Sequence, residues 1–140
     1  MADAVAVVGI GGLFPKALSL DAYWTNIRDK VCAAEEVPAG RWLLPKEAVY
    51  ADRPRPAPDK VYSTKACLIE GFRFDPAGFA LDAALLSRLD PVFHFALHAG
   101  RQAWSDAVTD KLDRRRVGVV MGNIALPTDH FSAYHRRRLA

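Results

Sequence analysis

Two short apolar runs, each followed closely by glycine, carry the strongest β-strand pattern in the chain. The first is Val5–Val8 in VAVVGIGG, and the second is Val117–Met121 in VGVVMGN. Runs that are apolar on both faces are typical of central strands covered by other elements. The pattern therefore predicts two buried strands that each end in a glycine turn, and a shorter strand is expected at Ala66–Ile69.

Helical periodicity fills the stretches between these runs. Ser19 is placed to cap a first helix, Asp82 a short helix over 83–88, and Asp90-Pro91 starts a helix running to about residue 107. The apolar face of the first helix comprises Leu20, Tyr23, Trp24, Ile27 and Val31. Strand-like runs separated by helices predict an α/β fold built from packed layers.

Residues 34–62 break both periodicities. Five of the nine prolines lie here: Pro38, Pro45, Pro54, Pro56 and Pro58. Proline lacks an amide donor and disfavours helix in the preceding residue, so this stretch is predicted to be a long loop with one helical turn near Lys46–Val49. Trp42 and Leu43 are too apolar for a free coil, and we expect the loop to be pinned.

Composition excludes several function classes. The chain has 140 residues, about half of them apolar and a quarter charged, which fits one domain or part of one. No apolar run is long enough to cross a bilayer, and no basic segment precedes the first run as in a secretory signal, so we expect a cytoplasmic protein. Arg114–Arg116 and Arg136–Arg138 are basic clusters without interleaved aromatics, which favours solvated charges over nucleic-acid binding.

The glycine segment, Gly9-Ile10-Gly11-Gly12, is the first candidate for chemistry. A dinucleotide fingerprint needs G-x-G-x-x-G at the start of a helix, but Phe14 stands at the third position and the helix begins only near Ser19. A nucleotide-binding α/β domain is therefore the weakest of the functions considered. We expect these glycines to let a buried strand turn sharply instead.

Histidines and cysteines form the remaining candidates. His94 and His98 are spaced i, i+4 and could share a metal, to which His130 or His135 could be added only by tertiary contacts. A simpler interpretation has both as polar positions hydrogen-bonded to neighbouring backbone. Cys32 and Cys67 lack a local activating group and do not form a CxxC pair, so each is expected to be a small buried hydrophobe.

Other nucleophiles and carboxylates add no site. Glu35-Glu36 is expected to be solvated, and no serine lies in a G-x-S-x-G elbow. The residues alone therefore predict no catalytic, cofactor-binding or metal-binding constellation.

The order of the motifs resembles the N-terminal portion of a β-ketoacyl synthase domain of the type I polyketide synthases. The resemblance rests on a G-x-x-x-x-F-P turn, an S-x-x-x-[FY]-W helix, P-x-x-R-W, F-D-x-x-x-F and a D-P helix start. These motifs are carried by Gly9, Phe14, Pro15, Ser19, Tyr23, Trp24, Pro38, Arg41, Trp42, Phe74, Asp75, Phe79, Leu89, Asp90 and Pro91. Val92, Phe93 and His94 depart from the Q-Q-R that follows in the family.

The resemblance implies that residues 1–140 are the N-terminal part of a thiolase-like fold, a partial sheet with flanking helices and the 34–62 loop. It implies acyl transfer to a cysteine in a T-A-C-S-S motif, two histidines, and an acyl carrier protein bearing phosphopantetheine. It also implies further synthase domains and a homo-oligomeric parent enzyme. No T-A-C-S occurs here, and neither Cys32 nor Cys67 matches that nucleophile, so the chain alone is expected to be inactive. A non-catalytic interaction module is the alternative.

Overall fold

The computed structural model describes residues 4–42, 44–52, 57–122 and Thr128. The chain divides into two compact units. One, called the loop unit, comprises Phe14–Phe72, and the other, called the helical unit, comprises Met1–Leu13 with Arg73–Ala140.

The loop unit begins with helix α1, Leu20–Arg28. The Ser19 hydroxyl accepts a hydrogen bond from the Ala22 amide at 3.2 Å, so the predicted cap is confirmed. Before the helix, the chain turns tightly over residues 14–17, where the backbone amides and carbonyls of Phe14 and Ala17 exchange two bonds of 2.9 Å. Because Ala17 is almost fully buried, this turn contributes to the small core of the unit.

The proline-rich stretch contains more regular structure than expected. Strand β1, Glu35–Glu36, precedes helix α2, Lys46–Val49, which confirms the predicted helical turn. Strand β2, Lys65–Ala66, pairs antiparallel with β1 and is shorter than the expected strand at Ala66–Ile69.

Backbone hydrogen bonds hold the loop closed, as predicted. The amide of Ala51 donates to Val61 at 3.0 Å, and the amide of Val61 donates back to Val49 at 2.8 Å. Trp42 is half-buried, whereas Leu43, the other residue expected to pin the loop, lies outside the described residues.

The helical unit contains helices α3, Ala83–Ser87, and α4, Pro91–Asp106, followed by a 3₁₀ turn at Arg114–Arg116. Both predicted caps are confirmed, since the Asp82 carboxylate accepts from the Ala84 amide at 2.7 Å and that of Asp90 accepts from the Val92 amide at 3.0 Å. The second carboxylate oxygen of Asp90 also accepts from the Thr128 hydroxyl. Leu86 of α3 is fully buried.

The prediction of buried strands at Val5–Val8 and Val117–Met121 is wrong for this chain. Neither segment forms a strand, and the exposed fractions of Val5 and Val120 are 95% and 99%, respectively. A strand exists only where a neighbour supplies its hydrogen-bonding partners. Within the described residues, the sheet that forms has two strands, β1 and β2, and neither apolar run belongs to it.

Candidate functional site

The glycine segment packs directly on the backbone of α4. A Cβ atom on Gly9 would lie 2.3 Å from the Ala103 carbonyl oxygen, and one on Gly11 would lie 2.2 Å from that of Ala99. Real Cβ atoms essentially never approach closer than 3.0 Å, so any larger residue would overlap the helix. The positive-φ glycines of the described residues are Gly40, Gly71 and Gly78. Gly9 and Gly11 are not among them, so close packing on α4, and not the sharp turn expected from the sequence, explains the glycine at both positions.

Two amides of the glycine segment already have partners on α4. The Ile10 amide donates to the Asp106 carboxylate at 3.0 Å, and the Gly12 amide donates to the Gln102 side-chain oxygen at 3.0 Å. A phosphate cradle requires amides that are free to meet an anion. The Asp106 carboxylate would repel a phosphate here, so the geometry counts against a nucleotide site.

Arg101 of α4 holds the FDPAGF segment, residues 74–79. Its Nη1 atom donates to the carbonyl oxygens of Asp75 at 3.1 Å and Ala77 at 2.9 Å. Its guanidinium also lies 5.0 Å from the ring centre of Phe79, which gives a cation–π contact. One arginine thus fixes a turn through two carbonyls and an aromatic ring.

The i, i+4 histidines occupy structural positions. His94 stacks on Phe74 with 4.5 Å between ring centres, and its Nε2 atom lies 2.7 Å from the Leu86 carbonyl oxygen. For His94 this confirms the interpretation of a histidine bonded to nearby backbone. Burial, helped by the charge of Arg101, lowers the pKa of His98 below its ordinary value.

No metal cluster forms around these histidines. Among the described residues, no group of three or more His, Cys, Asp or Glu side chains is arranged to hold a metal ion. His130 and His135, the other candidate ligands, lie outside the described residues.

Glu35 and Glu36 are both exposed, which confirms the expectation that they are solvated, and each also pairs with a lysine. The Lys16 ammonium lies 2.5 Å from the Glu35 carboxylate, and the Lys46 ammonium lies 3.5 Å from that of Glu36. The Thr64 hydroxyl donates to Glu36 at 3.1 Å, and this bond is the main cause of a lowered Glu36 pKa. The two acids therefore stabilise the ends of the β1–β2 pairing and do not face each other as an acid–base pair.

An open cleft lies beside β1 in the loop unit. Its volume is about 450 Å³, and its walls are Glu36, Val37, Pro38, Ala39, Gly40, Trp42, Leu44, Pro45, Lys46 and Thr64. Trp42, which the sequence marked as an apolar anchor and as part of the P-x-x-R-W motif, forms part of this wall. The cleft holds one carboxylate and one ammonium that are already paired, so no unpaired charge selects a ligand.

The two cysteines are both exposed. Cys32 follows α1 in the chain, and Cys67 follows β2 directly. Neither therefore occupies the buried position that the sequence predicted.

The basic clusters give little further chemistry. Arg115 of the 3₁₀ turn pairs with Asp113 at 3.1 Å, and Arg114 lies 5.7 Å from the ring centre of Trp104. Arg136–Arg138 lies outside the described residues.

No helix in the described part of the chain is long and apolar enough to cross a membrane.

Comparisons with known proteins assign the chain to a family. The structure superposes on a solved protein described as "PfaC Keto synthase-Chain length factor" with a TM-score of 0.62 and 29% identity, over 74% of this chain and 11% of that one. A family model for the beta-ketoacyl synthase N-terminal domain matches residues 2–138. The chain belongs to this family.

Curated relatives are polyketide synthases. Polyketide synthase ThaG of Burkholderia thailandensis is 38% identical over 124 residues, 86% of this chain and 2% of that protein. Polyketide synthase ThaQ of the same organism is 33% identical over 146 residues, 97% of this chain and 7% of that protein. Polyketide synthase PksL of Bacillus subtilis is 29% identical over 123 residues, 86% of this chain and 3% of that protein. The chain thus spans a small part of the length of the relatives it matches.

The residues that carry the family motifs prove to be fold determinants. Phe14 stacks on Tyr23 with 3.7 Å between ring centres, and Asp75 accepts from the Ala77 amide at 2.9 Å to form its turn. Sequence reasoning missed Arg101, Gln102 and Asp106, which bind the flanking segments. Polar residues interspersed with Ala99 and Ala103 on one helix were the available signal, because small residues let another backbone approach and polar neighbours can then bind it.

Proposed function

We propose that the chain is part of a β-ketoacyl-[acyl-carrier-protein] synthase that condenses acyl and malonyl thioesters in polyketide or fatty-acid synthesis. The single observation that carries the proposal is the family match over residues 2–138. The likeness to a keto synthase and the polyketide synthase relatives support it.

In this proposal the chain supplies scaffold and no catalytic residue. The glycine segment and the FDPAGF turn are fixed on α4 by backbone contacts and by Arg101. The nucleophilic cysteine and the two histidines come from elsewhere in the parent enzyme. Cys32 and Cys67 are both exposed, which supports a non-catalytic role for both.

The layered thiolase-like sheet is also part of the proposal. Val5, Val7, Val119 and Val120 are at least 80% exposed, although their pattern is that of central strands. Apolar residues of this kind are expected to be covered when neighbouring strands add to them. We infer that further parts of the synthase cover them and complete the sheet.

The proposed partners follow from the same role. An acyl carrier protein would bring the acyl and malonyl groups on phosphopantetheine, and the parent enzyme would be a homo-oligomer. Neither cysteine lines the cleft beside β1, so that cleft offers no thiol to an acyl group carried on phosphopantetheine. We therefore derive no step through that arm on this chain.

A chimera tests the proposal. Residues 2–138 would replace the matching segment of a relative such as ThaG, and β-ketoacyl thioester formation would be followed by mass spectrometry. We expect condensing activity to survive, and to survive also when Cys32→Ser and Cys67→Ser are introduced together. A folded chimera without condensing activity would contradict the proposal.

The isolated chain provides the complementary measurement. Incubated with an acyl thioester, it should not become acylated at either cysteine. Acylation at Cys67 that passes on to a malonyl thioester would overturn the claim that this chain is inactive alone.

A non-catalytic interaction module is the second candidate, favoured by the exposed valines alone. It predicts self-association of the purified chain through those residues, measured by sedimentation. A monomer at high concentration would dispose of it, while the chimera experiment would be unaffected.

A further inference from the structure

Helix α4 carries an apolar stripe that consists of Phe93, Leu97, Gly100 and Trp104. Their spacing of four, three and four residues places them on one face of the helix. Phe93 and Trp104 are 53% and 40% exposed, and a Cβ atom on Gly100 would have no neighbour within 4 Å beyond the helix backbone. The α4 stripe is therefore largely open to solvent in this chain.

The other faces of α4 are occupied by segments of the helical unit. Ala99 and Ala103 contact the glycine segment, and His94 and Arg101 hold the FDPAGF segment. With 3.6 residues per turn, the α4 stripe lies between these two sets of contacts. The helix is thus packed on two sides and apolar on a third.

Gly100 indicates that another backbone comes close to this third side. Glycine destabilises a helix interior relative to alanine, so a glycine well inside a helix of 16 residues calls for a compensating contact. Gly9 and Gly11 show such a contact in the same molecule, because each lies against a carbonyl oxygen of α4. Within the described residues, nothing comes that close to Gly100.

Thr128 brings the chain back to the N-terminal end of the α4 stripe. Its hydroxyl donates to the carboxylate of Asp90, which lies one turn before Phe93. The match to the solved keto synthase covers 11% of that protein, and the matches to ThaG and ThaQ cover 2% and 7% of theirs. A parent enzyme of this kind therefore has ample chain with which to cover the stripe.

We propose that the α4 stripe is an internal docking surface of the parent synthase, occupied by an apolar segment of that enzyme whose backbone lies against Gly100. Phe93 and Trp104 flank the contact at its two ends. The exposed valines of the same helical unit are inferred to be covered by the same enzyme, so one body of added chain accounts for both surfaces. The inference rests on the proposed function, because that function supplies the parent enzyme.

Gly100→Leu should act in opposite directions in the isolated chain and in the chimera of residues 2–138 with ThaG. In the isolated chain the new side chain enters open space and leucine favours helix over glycine, so the urea midpoint should rise. In the chimera the same side chain meets the docked segment, so the urea midpoint and the condensing activity should both fall. Ser105→Leu, at an exposed position of α4 outside the stripe, is the matched control and should leave the chimera unchanged.

Thiol labelling measures the covering directly, without a bulky substitution. Gly100→Cys is introduced together with Cys32→Ser and Cys67→Ser, and the peptide that contains residue 100 is followed by mass spectrometry during reaction with iodoacetamide. Labelling should be slower in the folded chimera than in the isolated chain by on the order of tenfold or more, because the docked segment must open before the reagent enters.

Three results would overturn the proposal. Equal labelling rates in the isolated chain and the folded chimera, or a chimera that tolerates Gly100→Leu, would show that no segment of the parent lies against the stripe. Protection already present in the isolated chain, with a dimer in sedimentation, would assign the stripe to a second copy. A chimera that folds without condensing activity contradicts the proposed function instead, and labelling at residue 100 still decides whether the stripe is covered.

Discussion

The contact between the glycine segment and α4 gives the sharpest stability prediction. Gly11→Ala adds one carbon atom, which would sit 2.2 Å from the Ala99 carbonyl oxygen and 2.6 Å from Cβ of Gln102. To reach the 3.0 Å that real Cβ atoms keep, the segment must move away by 0.8 Å. That movement also stretches the 3.0 Å bond from the Gly12 amide to Gln102.

The free energy follows from three contributions. Overpacking of this kind costs about 1–3 kcal/mol, and the strained hydrogen bond about 0.5–1.5 kcal/mol. Alanine restricts the unfolded chain more than glycine does, which offsets about 0.4–1 kcal/mol. The free energy of unfolding should therefore fall by about 1–3 kcal/mol, a change of about 5- to 150-fold in the unfolding equilibrium.

Urea unfolding followed by Trp104 fluorescence measures this in the helical unit, with Trp24→Phe and Trp42→Phe in the background to remove the signals of the loop unit. Gly100→Ala is the matched control, because a Cβ there meets no atom within 4 Å. Within a helix this change should stabilise by about 0.5–1 kcal/mol. If the midpoint for Gly11→Ala equalled or exceeded that of the wild-type chain, the packing argument would be refuted.

Three further measurements follow from the caps, the buried histidine and the occupied amides. Asp90→Ala should lower stability by about 1 kcal/mol, while Asp90→Asn retains the cap, and a larger loss for Asn than for Ala would contradict the capping role. Because burial lowers the pKa of His98, the unfolded chain takes up a proton first as the pH falls below 6.5, so stability should decline from neutral towards acidic pH and His98→Gln should flatten that decline. Millimolar ATP or NAD should leave the thermal midpoint unchanged, since the Ile10 and Gly12 amides are occupied, and a clear upward shift would restore the nucleotide interpretation.

Local features of the fold could be predicted because their causes lie within a few residues. Ser19, Asp82 and Asp90 cap helices where their spacing requires, and the helical turn at Lys46–Val49 forms between prolines. Each of the three caps depends on one side chain and the next three amides, which the sequence shows directly, whereas the turn at Lys46–Val49 follows Pro45 and has no side-chain cap.

Non-local features could not be predicted in the same way. A run such as Val5–Val8 becomes a strand only if another strand lies beside it, and no pattern within the run tells where that partner is. The role of Arg101 depends on contacts with residues 26 and 24 positions earlier in the chain, since its bonds go to Asp75 and Ala77. Candidate chemical sites could not be predicted for the same reason. The tertiary fold decides whether two histidines or two cysteines lie close together.

The close backbone contact of Gly9 and Gly11 with α4 affects which substitutions such a chain tolerates. The helix atoms closest to these glycines are carbonyl oxygens, which every residue type possesses. Many side chains along α4 can therefore change without altering the contact. The restriction falls on the glycines themselves and on their small neighbours Ala103 and Ala107. Saturation mutagenesis should therefore find a few intolerant positions within a permissive helix, which is how a scaffold can diverge widely while its geometry persists.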